Sequence, residues 1–368
     1  MEQLWSDFRL GRNTRVPVTF ACDEQVWLKV SGHTFREFYT DPGIHLKAQL
    51  EGRRWFCENV AGDMATGLPD QWVVSVQLWM EENEFLGCEV KYQENDYAWG
   101  LPLSLDREGL LDHLSNLDPD ERARSGSAFK MYQALRELAD GMEYAGRPVV
   151  IAPPGVSTHG VFTKAAEIRG LEAFCQDLYE APDYASRLLD IVTEKTVGRI
   201  KAWQRLTQGT DIDLPSPDGF GCCDDSLALI SAELYERAVL PAHERLFSMM
   251  TTGPRSIHLC GRASQHYETL VRKLGITHID GPGPFVDHGH CLETLGPDLA
   301  FAAQTDNSVL AYGSEAEIDE MMRNLLTPAA KLPGRFQVVG FVTRDTALEN
   351  VRACYEAGLR YGVIEKSG

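Results

Sequence analysis

From about residue 127 onward, short apolar segments alternate regularly with amphipathic helical segments, and this alternation constrains the fold more than any other feature of the sequence. The apolar segments have the length of strands and recur about every 20 to 40 residues. Strands joined by helices at that spacing pair in parallel. Because the count of strands is close to eight, we predict an α/β fold, a single (βα)8 barrel of the TIM type. The predicted strands are 148–152, 211–214, 256–260, 278–280, 299–302 and 337–341.

The N-terminal third of the chain lacks this regularity. It opens with a predicted strand over 15–20 and continues through irregular amphipathic segments to an apolar stretch at 85–88. We therefore predict one domain, in which residues 1–125 form an N-terminal extension or cap with the first elements and residues 126–368 form the regular βα repeats. The predicted helices are 128–144, 164–180, 183–206, 232–251, 264–274 and 348–359.

Composition excludes several classes of function. The 368 residues, 43% of them hydrophobic, suffice for one large core. With 54 acidic against 35 basic residues, the net charge of −19 repels nucleic acid and anionic membranes. Neither a basic-then-apolar leader nor a long apolar run is visible in the sequence, so we expect a cytoplasmic protein that no membrane anchors. The nine scattered cysteines are expected to be thiols, one or two of them metal ligands.

The segment 256–261 carries the strongest chemical signal. Strand alternation places His258 and Cys260 on one face and Ile257 and Leu259 on the other, and Gly261 allows a sharp turn directly afterwards. An imidazole nitrogen and a thiolate at the carboxyl end of a barrel strand suit Zn²⁺. The alternative is a polar strand end with a hydrogen-bonded histidine and a buried thiol.

A zinc site needs further ligands, and two loops offer them. In the segment 218–226, Cys223 is the third metal ligand that we predict, and Asp224 and Asp225 are the predicted catalytic residues. This segment could instead be an acidic turn before a helix capped by Ser231.

The second loop, 285–291, contains two histidines, an aspartate and a cysteine within five positions. Here Asp287 and His288 are predicted to bind a cofactor, with Asp287 able to orient an imidazole. An exposed histidine-rich turn is the alternative. Asn307, in the polar segment 304–307 after a predicted strand, is a third predicted cofactor contact, and the segment 155–160 is a possible site for substrate oxygens.

Short motifs follow one another along the chain at 161–164, 169–170, 177–182, 231–241, 258–261, 313–317 and 346–350. Their order resembles that of the uroporphyrinogen decarboxylase superfamily over roughly residues 148–362, and a weaker likeness at 15–18 extends the resemblance to nearly the whole chain. That superfamily is built on the (βα)8 barrel. It includes metal-free porphyrinogen decarboxylases and zinc-dependent methyltransferases that work with a corrinoid protein.

The resemblance to the methyltransferase branch implies that His258 and Cys260 are zinc ligands. The cysteine that this branch carries at the end of strand eight has no counterpart near 340–341, so the third ligand is expected from 222–224 or from 287–291. The decarboxylase branch opens with arginines that pair with substrate carboxylates, whereas 18–24 contains acids and no arginine.

The function predicted from the sequence is that of a zinc-dependent methyltransferase. It would move a methyl group between a small-molecule donor or a thiol acceptor and a corrinoid protein. The alternatives are a metal-free decarboxylase or lyase acting on a less anionic substrate than a porphyrinogen, and a non-catalytic binding protein on the same barrel. The oligomeric state and the direction of methyl transfer are left open.

Overall fold

The computed structural model describes residues 2–64, 67–154, 158–296, 298–329 and 335–364. The chain divides into two compact units. The first unit comprises Met1–Ser31, Glu51–Pro69 and Ser256–Gly368, and the second comprises Gly32–Leu50 and Asp70–Arg255. Neither unit ends near residue 125, and organisation as a single domain stays a prediction.

The first unit holds the beginning and the end of the chain. Its helices are α1 (Glu2–Arg9), α2 (Glu24–Ser31), the end of α4 (Pro42–Asn59), α14 (Tyr267–Arg272), α15 (His288–Leu295), α16 (Asn307–Tyr312), α17 (Glu315–Ala329) and α18 (Leu348–Tyr361). A short 3₁₀ turn, Ser264–His266, precedes α14. Its strands are β1 (Val18–Cys22), β9 (Arg255–His258), β10 (Ile276–Asp280), β11 (Ala300–Gln304) and β12 (Phe336–Val342).

The sheet of the first unit runs in the order β1-β12-β11-β10-β9. The first strand of the chain pairs in parallel with the last, with Val18 opposite Val338 and Cys22 opposite Val342. In a (βα)8 barrel the first and last strands also pair in parallel. Burial alternates strictly along β12, as expected of a strand with one face in the core.

The second unit is richer in helices. They are α3 (Phe35–Thr40), the beginning of α4, α5 (Glu81–Phe85), α6 (Arg107–Ser115), α7 (Pro119–Ser125), α8 (Ser127–Leu138), α9 (Val161–Arg169), α10 (Leu171–Glu180), α11 (Pro182–Gln208), α12 (Ala232–Leu234) and α13 (Leu240–Met250). A 3₁₀ turn (Asp225–Leu229) and a π-helical turn (Tyr235–Val239) flank α12. The strands are β2 (Trp72–Val74), β3 (Val90–Lys91), β4 (Trp99–Gly100), β5 (Glu143–Tyr144), β6 (Arg147–Ile151), β7 (Thr158–His159) and β8 (Phe220–Cys223).

Two parallel strand pairs organise the candidate sites of the second unit. β2 pairs with β6. β7 pairs with β8, placing Thr158 opposite Cys222 and His159 opposite Cys223. Thr158 and Cys222 are buried, whereas His159 and Cys223 are half-buried on the other face. A histidine and a cysteine therefore lie side by side on the more accessible face of this pair.

Most elements of the repeating region lie where the sequence predicts them, and one strand does not. Residues 211–214 form no strand, and the strand after α11 is β8, which the sequence had assigned to a loop. In β8, the apolar side chains of Phe220 and Cys222 are buried, whereas 211–214 contains two acids that do not favour burial. The predicted helix over 164–180 is two helices, α9 and α10, that meet at Gly170 with φ +90°.

Within the described ranges, no helix is both long and apolar enough to cross a membrane.

Candidate functional site

His258 ends β9 and Cys260 follows two residues later. Ile257 and Leu259 are buried, at 1% and 0% exposure, while His258 and Cys260 are half-buried. The alternation expected from the sequence is therefore observed, and the two potential ligands share a face at the carboxyl end of a strand.

Both nitrogens of the His258 imidazole have partners in the first unit. Nδ1 lies 2.7 Å from Oδ1 of Asp280, at the end of β10, and Nε2 lies 3.1 Å from Sγ of Cys260. Burial alone would lower the pKa of His258, but the hydrogen bonds to Asp280 and Cys260 outweigh it and raise this pKa to about 10. The carboxylate fixes the ring and directs Nε2 toward the sulfur.

Gly281, directly after β10, allows this close approach. Its φ is +86°, and a Cβ at this position would lie 2.6 Å from Cε1 of His258. A side chain here would both strain the backbone and displace the imidazole. The local sequence Asp280-Gly281 thus supplies the partner of His258 and the space for its ring.

The donor set of this pair fits zinc. A histidine nitrogen stands beside a cysteine sulfur, and the second imidazole nitrogen is bonded to a carboxylate, as is usual for metal-ligating histidines. Asp280 was not singled out by the sequence reasoning. It could have been found as the only carboxylate in the strand predicted directly after that of His258.

The second unit holds the predicted third ligand. Cys223 ends β8, and its Sγ donates a hydrogen bond of 3.3 Å to Oδ2 of Asp225. Both side chains are half-buried. The geometry joins Cys223 to one of the two predicted catalytic aspartates, and the ligand and catalytic roles of these residues stay predictions.

Asp224 has a different environment, because it is fully buried. Its oxygens accept hydrogen bonds from the backbone and hydroxyl of Thr163, at 2.8 and 2.7 Å, and from the backbone of Phe162 at 3.3 Å. Nε2 of His243 lies 2.8 Å away, and Nδ1 of His243 lies 3.1 Å from the hydroxyl of Tyr235. Asp224 thus fixes the start of α9 within the core, and its catalytic role stays a prediction.

The predicted cofactor-binding residues lie in the first unit. Asp287 caps α15 by accepting from the backbone of His290 at 3.0 Å, and the buried His288 contacts the carbonyl of Pro282 at 3.3 Å. Burial lowers the pKa of His288, so its neutral form is favoured. Oδ1 of Asn307 is buried, with no hydrogen-bond partner found among the described residues.

A cavity of about 440 Å³ is lined in part by Asp287 and His288. Cofactor contacts by Asp287, His288 and Asn307 stay predictions. Residues 155–157 of the predicted substrate segment lie outside the described residues.

A cluster of which the sequence reasoning singled out only His159, as part of the segment 155–160, lies in the second unit. Glu82 and Arg199 line a cavity of about 410 Å³ together with His159. A pair of adjacent acids, Glu81 and Glu82, shortly after an apolar strand was the available signal. The partners could not be read from the sequence, because Glu82 and His159 are 77 positions apart.

The fold and the His258–Cys260 pair define an α/β protein with a zinc-type donor set at the carboxyl end of a strand. The family model described as Uroporphyrinogen decarboxylase (URO-D) matches residues 8–361. The chain belongs to the uroporphyrinogen decarboxylase family, which confirms the resemblance that the motifs carried.

Two similar proteins are methyltransferases. Methylated-thiol–coenzyme M methyltransferase of Methanosarcina mazei is 27% identical over 294 residues, which cover 77% of this chain and 72% of that protein. The solved structure of a methyltransferase from Methanosarcina mazei matches with a TM-score of 0.62 at 17% identity, covering 94% of each chain. This likeness confirms the predicted α/β fold of the TIM-barrel type.

Proposed function

We propose that this protein is a methyltransferase that moves a methyl group between a small-molecule donor or a thiol acceptor and a corrinoid protein. The observation that carries the proposal is the arrangement of His258, Cys260 and Asp280. It offers nitrogen and sulfur to a metal and holds the imidazole by a carboxylate. The similarity to a methylated-thiol–coenzyme M methyltransferase supports a thiol as the acceptor.

Zinc is the metal that this donor set suits. His258 would bind through Nε2 and Cys260 through its thiolate, with Asp280 holding Nδ1. A zinc ion at this position would act as a Lewis acid toward the thiol sulfur or the heteroatom of a methyl donor. Both ligands must lose their protons to bind it, so zinc binding would release protons from this pair.

Cys223 is the third ligand of the proposal. It ends a parallel strand, its side chain is half-buried, and Asp225 accepts a hydrogen bond from its sulfur. On metal binding Cys223 would lose the proton of this S–H bond, and the neighbouring Asp225 carboxylate would be the group placed to accept it. We therefore assign Asp225, rather than the fully buried Asp224, to the reaction centre.

Elemental analysis of protein purified without chelator tests the metal. We expect about one zinc per chain in the wild type and none in the His258→Ala, Cys260→Ala double variant. His33→Ala, a substitution away from the candidate ligands, is the control for folding and metal content. Wild-type protein that takes up no zinc even when zinc is added back would contradict the proposal and favour a metal-free lyase or a binding protein.

A matched pair of cysteine variants tests the third ligand. Cys223→Ala should weaken zinc binding strongly, whereas Cys222→Ala should retain it, because Cys222 is buried on the opposite face of β8. Competition with a chromogenic chelator measures both affinities. Equal affinities in the two variants would remove Cys223 from the proposal and leave the loop 287–291 as the source of the ligand.

Methyl transfer itself is tested with methylcobalamin, which stands for the corrinoid partner, and with coenzyme M or 2-mercaptoethanol as the acceptor. We expect zinc-dependent formation of the methyl thioether and loss of the cobalt–carbon absorbance. A zinc-loaded wild type that transfers no methyl group to either thiol would contradict the methyltransferase proposal.

A further inference from the structure

The second unit contains a cavity of about 410 Å³ at the carboxyl ends of two parallel strands. Residues 75–79 follow β2, residues 152–154 follow β6, and both segments line it. In α/β proteins, small molecules bind at the carboxyl ends of parallel strands. The volume is sufficient for a small organic molecule. Apolar side chains form much of the wall, among them Leu78, Trp79, Ala128, Ala152, Pro153 and Pro154.

One wall of this cavity carries a histidine–carboxylate pair. Nδ1 of His159 lies 3.3 Å from Oε1 of Glu82, and the backbone N–H of His159 donates to the same oxygen at 3.1 Å. The hydroxyl of Thr158 donates to Oε2 at 2.9 Å. An ionised carboxylate can only accept, so Nδ1 of His159 donates to Glu82, and Nε2 is the ring nitrogen that remains to exchange a proton with a ligand.

Glu82 is held in its ionised form. Burial alone would raise its pKa, but the charge of Arg199, whose Nη2 lies 3.5 Å away, together with His159 and Lys164 lowers it below the usual value. Arg199 also pairs with Glu81 at 2.7 Å. The charged groups that act on Glu82 thus include Lys164 of α9 and Arg199 of α11, and Glu81 of α5 shares Arg199 with it.

The position of His159 on the sheet links this cavity to the reaction centre of the proposed function. His159 is the register partner of Cys223 on the neighbouring parallel strand. Side chains in register on adjacent strands project from the same face, with the strands about 4.8 Å apart. A molecule held beside His159 therefore lies next to the strand position that supplies the proposed third ligand.

We infer that the cavity binds the small thiol substrate, or its methyl thioether, and that His159 is the catalytic residue that exchanges a proton with its sulfur. Transfer to the thiol breaks the S–H bond and forms an S–CH₃ bond. The proton goes to Nε2 of His159, and the cobalt–carbon bond of the methylcorrinoid substrate breaks with its electron pair left on cobalt. In the reverse direction the same nitrogen returns the proton. Glu82 is the positioning residue, and the inference rests on the proposed function.

The test measures methyl transfer from methylcobalamin to 2-mercaptoethanol in zinc-loaded protein. General acid–base catalysis contributes about 10²–10⁴-fold, so His159→Ala should lower kcat by roughly that factor while its zinc content and melting temperature match those of His33→Ala. Added imidazole should restore part of the lost kcat in His159→Ala and none in the zinc-ligand variants. Glu82→Gln should lower kcat less and shift the pH profile, and Glu82→Asp should recover part of the rate.

The outcomes separate this inference from the proposed function. Failure of the zinc-loaded wild type to transfer methyl groups overturns the proposed function. Transfer by the wild type with an equal kcat in His159→Ala overturns the inference alone. A ¹⁵N spectrum of the wild-type histidines provides a second measurement that needs no variant. It should show His159 protonated at Nδ1 and its Nε2 signal shifted by the thiol. If the chemical shift of His159 Nε2 does not change at saturating thiol, the inference is also overturned.

Discussion

Each unit of the chain contains a histidine whose Nδ1 contacts a carboxylate, and the two pairs differ in what surrounds them. In the first unit, Nε2 of His258 lies 3.1 Å from a cysteine sulfur, and the side chain of Asp280 is 45% exposed. In the second unit, His159 lines a cavity, and the side chain of Glu82 is only 11% exposed. Under the proposals made above, the same bond would serve metal binding in the first unit and proton transfer in the second.

If these proposals hold, the neighbours of a histidine–carboxylate pair decide its chemistry. A half-exposed carboxylate such as Asp280 fixes the ring and leaves the protons of the pair free to be displaced by a metal. Arg199 lowers the pKa of the buried Glu82 carboxylate and so favours its ionised form, which would suit a partner that holds His159 in one tautomer.

A third histidine–carboxylate pair, Asp224 and His243, is the most deeply buried of the three. Asp224 and His243 are both fully buried, and the hydroxyl of Tyr235 forms a hydrogen bond with the second nitrogen of the imidazole. No ring nitrogen of His243 is left for a ligand or a substrate. This pair acts in the core, where it joins the turn after β8 to the start of α9.

The largest expected effect tests that third pair. Asp224→Asn removes a buried charge that accepts from Thr163 and His243, and breaking a buried pair costs about 3–5 kcal/mol. Urea unfolding should show this loss, and Asp225→Asn, at a half-buried position next to it, should change the free energy of unfolding much less. An Asp224→Asn protein of normal stability but low kcat would instead assign Asp224 to catalysis, as the sequence predicted.

The second effect tests the role of Asp280. Loss of an outer-shell carboxylate typically costs about 10–100-fold in metal affinity, or about 1.4–2.7 kcal/mol, so Asp280→Asn should weaken zinc binding by that factor. Glu82→Gln is the matched change in the other pair and should leave zinc affinity unaltered. Both affinities are measured by chelator competition. If Asp280→Asn and Glu82→Gln lower the zinc affinity equally, the two pairs do not differ in their role at the metal.

Periodicity explains how much of this molecule could be read from its sequence. Strand alternation alone placed His258 and Cys260 on one face, and helix periodicity located α18 within two residues at its end. Both features depend on neighbours in the chain. The strand wrongly assigned to 211–214 shows the limit, because a short segment with two acids competes poorly with the buried β8.

The contacts that distinguish the three histidine pairs were beyond the sequence reasoning. Glu82 meets His159 across 77 positions, and Asp280 meets His258 across 22 positions. Contacts between residues so far apart in the sequence depend on how the strands and helices pack. Likewise, nothing in the run Cys222-Cys223-Asp224-Asp225 tells which members are buried, whereas the pleat of β8 and the turn after it decide this in the structure.

The smallest effect concerns the space for the His258 ring. Gly281→Ala places a side chain at φ +86°, which costs roughly 1–2 kcal/mol, and its Cβ would lie 2.6 Å from the imidazole. Gly275→Ala is the matched control, because Gly275 has φ +73° and no atom within 4 Å of the added Cβ. Both variants should lose similar backbone stability, and only Gly281→Ala should also bind zinc more weakly.

That pair of variants separates backbone strain from displacement of the ligand. If Gly281→Ala and Gly275→Ala retain the same zinc affinity, the ring of His258 can move without loss, and the tight packing beside Asp280 does not set the metal site. If only Gly281→Ala loses affinity, the position of the imidazole is fixed by contact with the backbone after β10 as well as by the Asp280 carboxylate. The first unit would then hold its histidine from two sides, whereas the second holds His159 through Glu82.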